Sequence, residues 1–354
     1  MPRTPFRSSL AAAVVFALTA AACSGGSSDA ADEVTTTTTA PPAETTTTTE
    51  AATTTTMDAA PSGPFAPLTG LPVDEELTGP ALIVKIDNFP EARPQTGLDQ
   101  ADLVFEMLTE GVTRFAAVFH TNQPSPVGPV RSSRTSDFDL VSGFNTPLYA
   151  SSGGNDYVAQ RLRSLPIVEV TAMSRSVYFR DSSRRAPHNL YVNTPDLFAF
   201  APDDAEPPAP WFEFRGPGDE LSADAVEISG PVTIDYRGTP TVTHTWDASR
   251  GGWLRTQDGR PHTTVLGDQL APANVVIMIV DYSISPADAG SAELESVGTG
   301  PVIVLTDGHL IEGTWSRDSA TSQPELVDNN GDPILLTPGQ TWVLFPEEGN
   351  VTLP

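Results

Sequence analysis

Short apolar runs alternate with polar, turn-forming stretches along most of this chain. Ala81-Leu82-Ile83-Val84-Lys85-Ile86-Asp87 is such a run, ending in turn-forming residues, and it predicts a buried strand. Asp102 to Leu108 and Arg114 to Phe119 predict two more, joined by a turn at Glu110-Gly111. Arg134 to Phe144 and Asn155 to Leu165 carry helical spacing, with Tyr157, Arg161 and Leu165 four apart. Pro147 to Ala150 and Ile167 to Val170 read as strands, and Thr194-Pro195-Asp196 as a helix start. Strands and helices therefore interleave through the first half.

The rhythm changes after Ala201 to Pro210, a proline-rich acidic stretch that reads as an exposed linker. Beyond it come short β runs separated by turns. Asp258-Gly259, Asp307-Gly308 and Asn330-Gly331 each separate β-prone stretches, a strong hairpin signal. Val275 to Val280 and Val302 to Leu305 read as buried strands. The expected fold class is α+β: a mixed α/β domain at 65–200, a linker at 201–222 and a mostly β domain at 223–354.

The N-terminus follows another pattern. Arg3 and Arg7 precede an apolar run from Leu10 to Ala22, about 13 residues where about 20 are needed to span a bilayer. Ala20-Ala21-Ala22-Cys23 then matches a bacterial lipoprotein signal, so 1–23 reads as a signal peptide with Cys23 as the lipidated residue. The alternative is an ordinary secreted protein whose cysteine falls there by chance. Residues 24–64 are rich in threonine, proline and acids and hold almost nothing large and apolar, so they cannot build a core. As a flexible tether they would average roughly 35 Å end to end.

Cys23 is the one cysteine among 354 residues, which excludes a disulfide framework and a Cys-ligated zinc site. If it is lipidated, no thiol nucleophile remains. The net charge of −26 argues against nucleic acid as a partner. That charge is unevenly spread. Lys85 to Tyr191 holds 11 Lys/Arg and 11 Asp/Glu, so this neutral segment is where a site is expected.

Four polar clusters lie in it. Asp87-Asn88 with Arg93 follows the first strand, where open sheets bind ligands, although Asp and Asn commonly serve turns. Glu106 and Glu110 could act as acid and base on a glycosidic bond, or Arg114 could hold them in an ion pair. Glu106 faces opposite to Phe105 and would point outward from a half-buried strand. Arg131-Ser132-Ser133-Arg134 could grip a carboxylate or phosphate, or merely open a helix. Arg180 to Tyr191 is the densest cluster, with Arg184, Arg185, His188 and Asn189; His188 could transfer protons or simply be hydrogen-bonded. Ser151-Ser152-Gly153-Gly154 lacks the Walker lysine, and Asp328 to Asp332 lacks the distal Glu of a calcium loop and reads as a hairpin turn. No metal and no organic cofactor is expected.

These clusters resemble the YerB-like family of bacterial lipoproteins, a family without an assigned function. The matching residues include Ile86-Asp87-Asn88, Ala92-Arg93-Pro94-Gln95, Glu110-Gly111 and Thr113-Arg114-Phe115. Gly128-Pro129-Val130-Arg131-Ser132, Arg134 and Ala186-Pro187-His188-Asn189-Leu190 continue the match. Gly313-Thr314-Trp315 and Pro338-Gly339-Gln340-Thr341-Trp342 extend it toward the C-terminus, so that it spans about 65–354. The resemblance implies an extracytoplasmic envelope lipoprotein with two domains, anchored to the membrane through Cys23. It supplies no catalytic residues.

Three readings follow. In the first, Arg93, Arg114, Arg131, Arg134, Arg185 and Asn189 with His188 line a cleft for an anionic or glycan envelope ligand such as a cell-wall fragment. In the second, the protein is a hydrolase or lyase on cell-wall glycan, with Glu106 or Glu110 as acid/base, Asp87 assisting and His188 moving protons. In the third, the clusters are buried ion-pair networks that hold the fold.

Overall fold

The computed structural model describes residues 63–237 and 241–354. Cys23, the apolar run and all of the threonine-rich segment except Gly63 and Pro64 lie outside the described residues.

The first half builds on β1 (Leu82–Asp87), β2 (Leu103–Leu108), β3 (Thr113–Phe119), β4 (Leu148–Ala150) and β5 (Val168–Glu169). β3 runs antiparallel between β2 and β1, while β4 and β5 continue beyond β1 in parallel. On the far side of β2 the strand Thr341–Leu344 pairs with it in parallel. It joins β2 to Asn274–Met278, Gly298–Thr306, His309–Arg317 and Glu325–Asp328. The two halves thus share one eleven-stranded sheet.

Both faces of this sheet are covered, which is why β1, β2 and β3 are buried at every position. On one face Ile83, Phe105, Ala116 and Tyr149 pack against Phe138, Phe144, Val158 and Trp211. On the other, Val84, Val104, Phe115 and Trp342 pack against Val232, Ile234 and Trp253. The last three belong to a second, five-stranded sheet running from Arg260–Pro261 to Val351–Thr352.

The fold is predominantly β rather than α+β. Among the described residues the α-helices are α1 (Asp137–Ser142), α2 (Asp156–Leu162) and α3 (Thr194–Phe198). α1 and α2 are shorter than the apolar spacing predicts, for local reasons, while α3 begins at Thr194 as expected. The segment 131–134 is held extended beside β1, where Arg131 N–H donates to the Lys85 carbonyl. α2 stops before Pro166, and the Ser164 hydroxyl donates to the Arg161 carbonyl instead.

The linker also differs from expectation. Ala201 to Pro210 is mostly exposed, but Trp211 and Phe212 are core residues, and Trp211 stacks on Phe144 at 4.3 Å. Asp258 and Gly259, like Asp307 and Gly308, all take positive φ, as a tight hairpin requires. Asp328 accepts from the backbone of Asn330 and Asp332, closing the predicted turn.

Candidate functional site

The carboxyl ends of β1, β2 and β4 lie on the same side of the sheet, together with the start of antiparallel β3. Alternation assigns the polar residues there to faces. Lys85, Asp87 and Arg114 fall on the Ile83 face, toward α1. Glu106 and Thr113 fall on the opposite face, toward the five-stranded sheet.

On the α1 face, Lys85 is fully buried within an apolar run and ion-pairs with Asp137 of α1 at 2.6 Å. Burial lowers its pKa, Asp137 opposes that shift, and Arg114 and Arg134 reinforce it. Asp137 is further held by the Tyr149 hydroxyl at 2.9 Å and by the Arg134 N–H at 2.8 Å. This pair fixes the start of α1, and with it the segment that carries Arg131 and Arg134.

Asp87 ends β1 opposite Arg114 of β3. Its carboxylate is nearly inaccessible. Oδ1 accepts from the Phe89 N–H at 3.0 Å, while Oδ2 meets His188 Nδ1 at 2.7 Å and Arg131 Nε at 3.3 Å. A carboxylate only accepts, so His188 Nδ1 carries a proton; Nε2 is then an acceptor in the neutral ring and a donor in the imidazolium. Nε2 has no protein partner among the described residues, and the same holds for the two terminal nitrogens of Arg131. The imidazole is stacked on Phe89, ring centroids 5.0 Å apart. Gly128 lets the Arg131 segment approach this place. It has φ of 152°, and a Cβ there would lie 2.8 Å from the Leu190 carbonyl oxygen.

Beside this ledge Glu110 is shared by Arg114, at 2.8 Å, and by Arg134, and it accepts from Ser291 at 2.8 Å. Burial pushes the Glu110 carboxyl up, but the two arginines and Ser291 outweigh it and hold the pKa below its usual value. Burial and the charges of Arg134 and Arg131 lower Arg114 to about 10. Three guanidinium groups thus face two carboxylates, Asp87 and Glu110, which leaves one positive charge in surplus.

On the other face Glu106 is sealed from solvent. Arg255 of the five-stranded sheet donates to both of its oxygens at 2.8 Å, and the Thr113 hydroxyl donates to Oε1. This corrects the outward orientation expected for Glu106: it does face opposite to Phe105, but a second sheet covers that side. Neither Glu106, enclosed in the core, nor Glu110, spoken for by two arginines, is a free acid/base.

Arg255 also donates to His262 Nδ1 at 2.9 Å, and His262 Nε2 donates to Gln95 at 2.7 Å. Gln95 donates to the Asp87 carbonyl and to Asn88 Oδ1, and Asn88 donates to Thr113 at 2.7 Å. The bonds close into a ring that returns to Glu106, with Arg255 as its source of donors. The ring braces the backbone of Asp87 from behind.

Other expected ligand residues lie apart. Arg93 turns toward the five-stranded sheet and pairs with Asp258 at 2.8 Å. Asn189 is buried and braces its own loop, accepting from Arg180 and donating to the Asp181 and Arg184 carbonyls. Arg185 is exposed. Gln95 belongs to the first polar cluster of the sequence, whereas Asp137, Arg255, His262 and Ser291 lie outside all four clusters. A lysine inside an apolar run signals a buried counter-charge; nothing local marks the others. Among the described residues no group of three or more His, Cys, Asp or Glu side chains is placed to hold a metal ion, and no helix is long and apolar enough to cross a membrane.

Two family models match the chain: "Protein of unknown function (DUF3048) N-terminal domain" over residues 68–206 and "Protein of unknown function (DUF3048) C-terminal domain" over 232–343. The chain is similar to "Putative lipoprotein YerB" of Bacillus subtilis (strain 168), 30% identical over 294 residues, which is 78% of this chain and 85% of the relative. It is also similar to the crystal structure of the YerB protein from Bacillus subtilis, with a TM-score of 0.70 at 25% identity over 82% of this chain and 99% of that one.

Proposed function

This chain belongs to the YerB-like DUF3048 family, and from that premise we propose that it is an envelope binding protein, lipid-anchored at Cys23, whose ledge takes an anionic group. The observation that carries the reading is the arrangement on Asp87. One carboxylate oxygen orients His188 by a hydrogen bond and faces Arg131 Nε as an ion pair at 3.3 Å, and among the described residues neither His188 Nε2 nor the Arg131 guanidinium has a hydrogen-bond partner. A planar guanidinium matches the two oxygens of a carboxylate or phosphate. The surplus positive charge supports an anionic ligand, and Phe89 under the imidazole supplies a flat apolar border. Polymers and fragments of the cell wall carry such groups.

Calorimetric titration of the folded chain with soluble peptidoglycan fragments and with an anionic wall polymer tests this reading. Arg131→Ala with His188→Ala is expected to weaken binding at least tenfold, measured under conditions where circular dichroism shows the variant folded. Equal binding by the double variant overturns it. For the anchor, incorporation of labelled fatty acid is expected in the wild type and absent in Cys23→Ala.

A further inference from the structure

A cavity of about 510 Å³ opens between the turn at Pro90–Ala92 and the hairpin around Asp258. Its size falls in the range of small-molecule sites. Pro90, Pro94 and Pro261 supply flat apolar wall, and Gln257 and Thr263 supply polar groups. Two cations line it, Arg93 and Arg260, against one carboxylate, Asp258.

The Arg93 guanidinium is fixed in place. Nε and the second terminal nitrogen donate to the Asn88 carbonyl at 3.3 and 3.0 Å, and the first terminal nitrogen donates to Asp258 at 2.8 Å. Asp258 is held in a turn with φ of 56° and its side chain is 42% exposed. Arg260 is exposed and has no acidic partner among the described residues.

We infer that this cavity is a second binding site, for a sugar-sized molecule bearing one carboxylate or phosphate. In it Asp258 is an internal stand-in for the ligand's anionic group. The ligand displaces Asp258 from Arg93, engages Arg260 with the same charge, and lays its ring against the prolines. His262 at the cavity wall donates Nε2–H to Gln95 and accepts from Arg255 at Nδ1, so both of its ring nitrogens are already engaged. The inference stands on these residues and does not rest on the ledge at Asp87.

Titration calorimetry with glucuronate and with glucose 6-phosphate, and with glucose as neutral control, tests it on the full chain. Asp258→Asn keeps a residue suited to the turn and removes the competing charge, so at least one anionic probe is expected to bind several-fold tighter than to wild type. Arg260→Ala is expected to weaken that probe about tenfold. Arg131→Ala with His188→Ala is expected to leave it unchanged, which separates this site from the ledge. Absence of saturable binding to Asp258→Asn overturns the inference. So does equal binding by Arg260→Ala, equal affinity for glucose, or loss of binding in the ledge variant.

Discussion

Glu106 and Arg255 lie 149 positions apart and meet through two hydrogen bonds of 2.8 Å, with both side chains sealed from solvent. One comes from β2 and the other from the sheet that covers it, so this contact ties the halves of the chain through the core. Removing one partner leaves a buried charge without compensation, which costs about 3–5 kcal/mol. Arg255→Met alone is expected to lose that much in denaturant unfolding. Glu106→Gln with Arg255→Met is expected to lose less than the two single changes added together. Additive losses would show that the two do not act as a pair.

The bond from His188 to Asp87 fixes a tautomer. Nitrogen-15 spectra of the imidazole are expected to show Nδ1 protonated in the neutral ring. In Asp87→Ala the preference disappears, because no acceptor remains at that position. An unchanged tautomer in the variant would mean that something other than Asp87 orients the ring.

Trp211 stacks on Phe144, meets Phe105 edge-on and lies 5.2 Å under the Arg317 guanidinium. Trp211→Ala is expected to cost about 3–5 kcal/mol, as large-to-small changes in cores do. A loss below about 1 kcal/mol would restore the view of this segment as a passive connector.

Three buried histidines set a pH dependence. Burial lowers the pKa of His120; burial together with the Arg255 charge lowers His244 and His262 well below the usual value. The unfolded chain takes up protons on these rings below about pH 6.5, while the folded chain resists. The unfolded state therefore binds more protons, and stability rises with pH through that window. Acidification from pH 7 to 5 is expected to destabilise the fold, each histidine contributing a slope of up to about 1.4 kcal/mol per pH unit. Among the described residues His244 has no hydrogen-bond partner at either ring nitrogen. Replacing it with Leu is expected to reduce the slope by up to one proton, read from unfolding curves at several pH values.

Strands β1 to β5 were legible because apolar runs of four to seven residues ended in turn residues, and the Asp-Gly hairpins because few other residues accept positive φ. The lengths of the helices were not legible. Tertiary pairing holds 131–134 extended, and Pro166 ends α2 whatever its apolar spacing. Glu106 shows the limit for the site. Alternation told which face it occupies, but only the distant five-stranded sheet determines whether that face is wet. Asp87, Arg131 and His188 were each visible in a polar cluster. Their convergence on one oxygen depends on the pairing of the Arg131 segment with β1, on the approach of Gly128 to Leu190, and on a loop about 100 residues downstream.

Thr341–Leu344 sits between β2 and Asn274–Met278, so nearly the last strand in the sequence fills a gap in the middle of the large sheet. A chain delivered N-terminus first keeps two open strand edges until that segment arrives. Completion of the sheet is therefore a post-delivery event, and a chain cut before residue 341 exposes both edges to other molecules. The middle of the large sheet is closed only once residues 341–344 are in place.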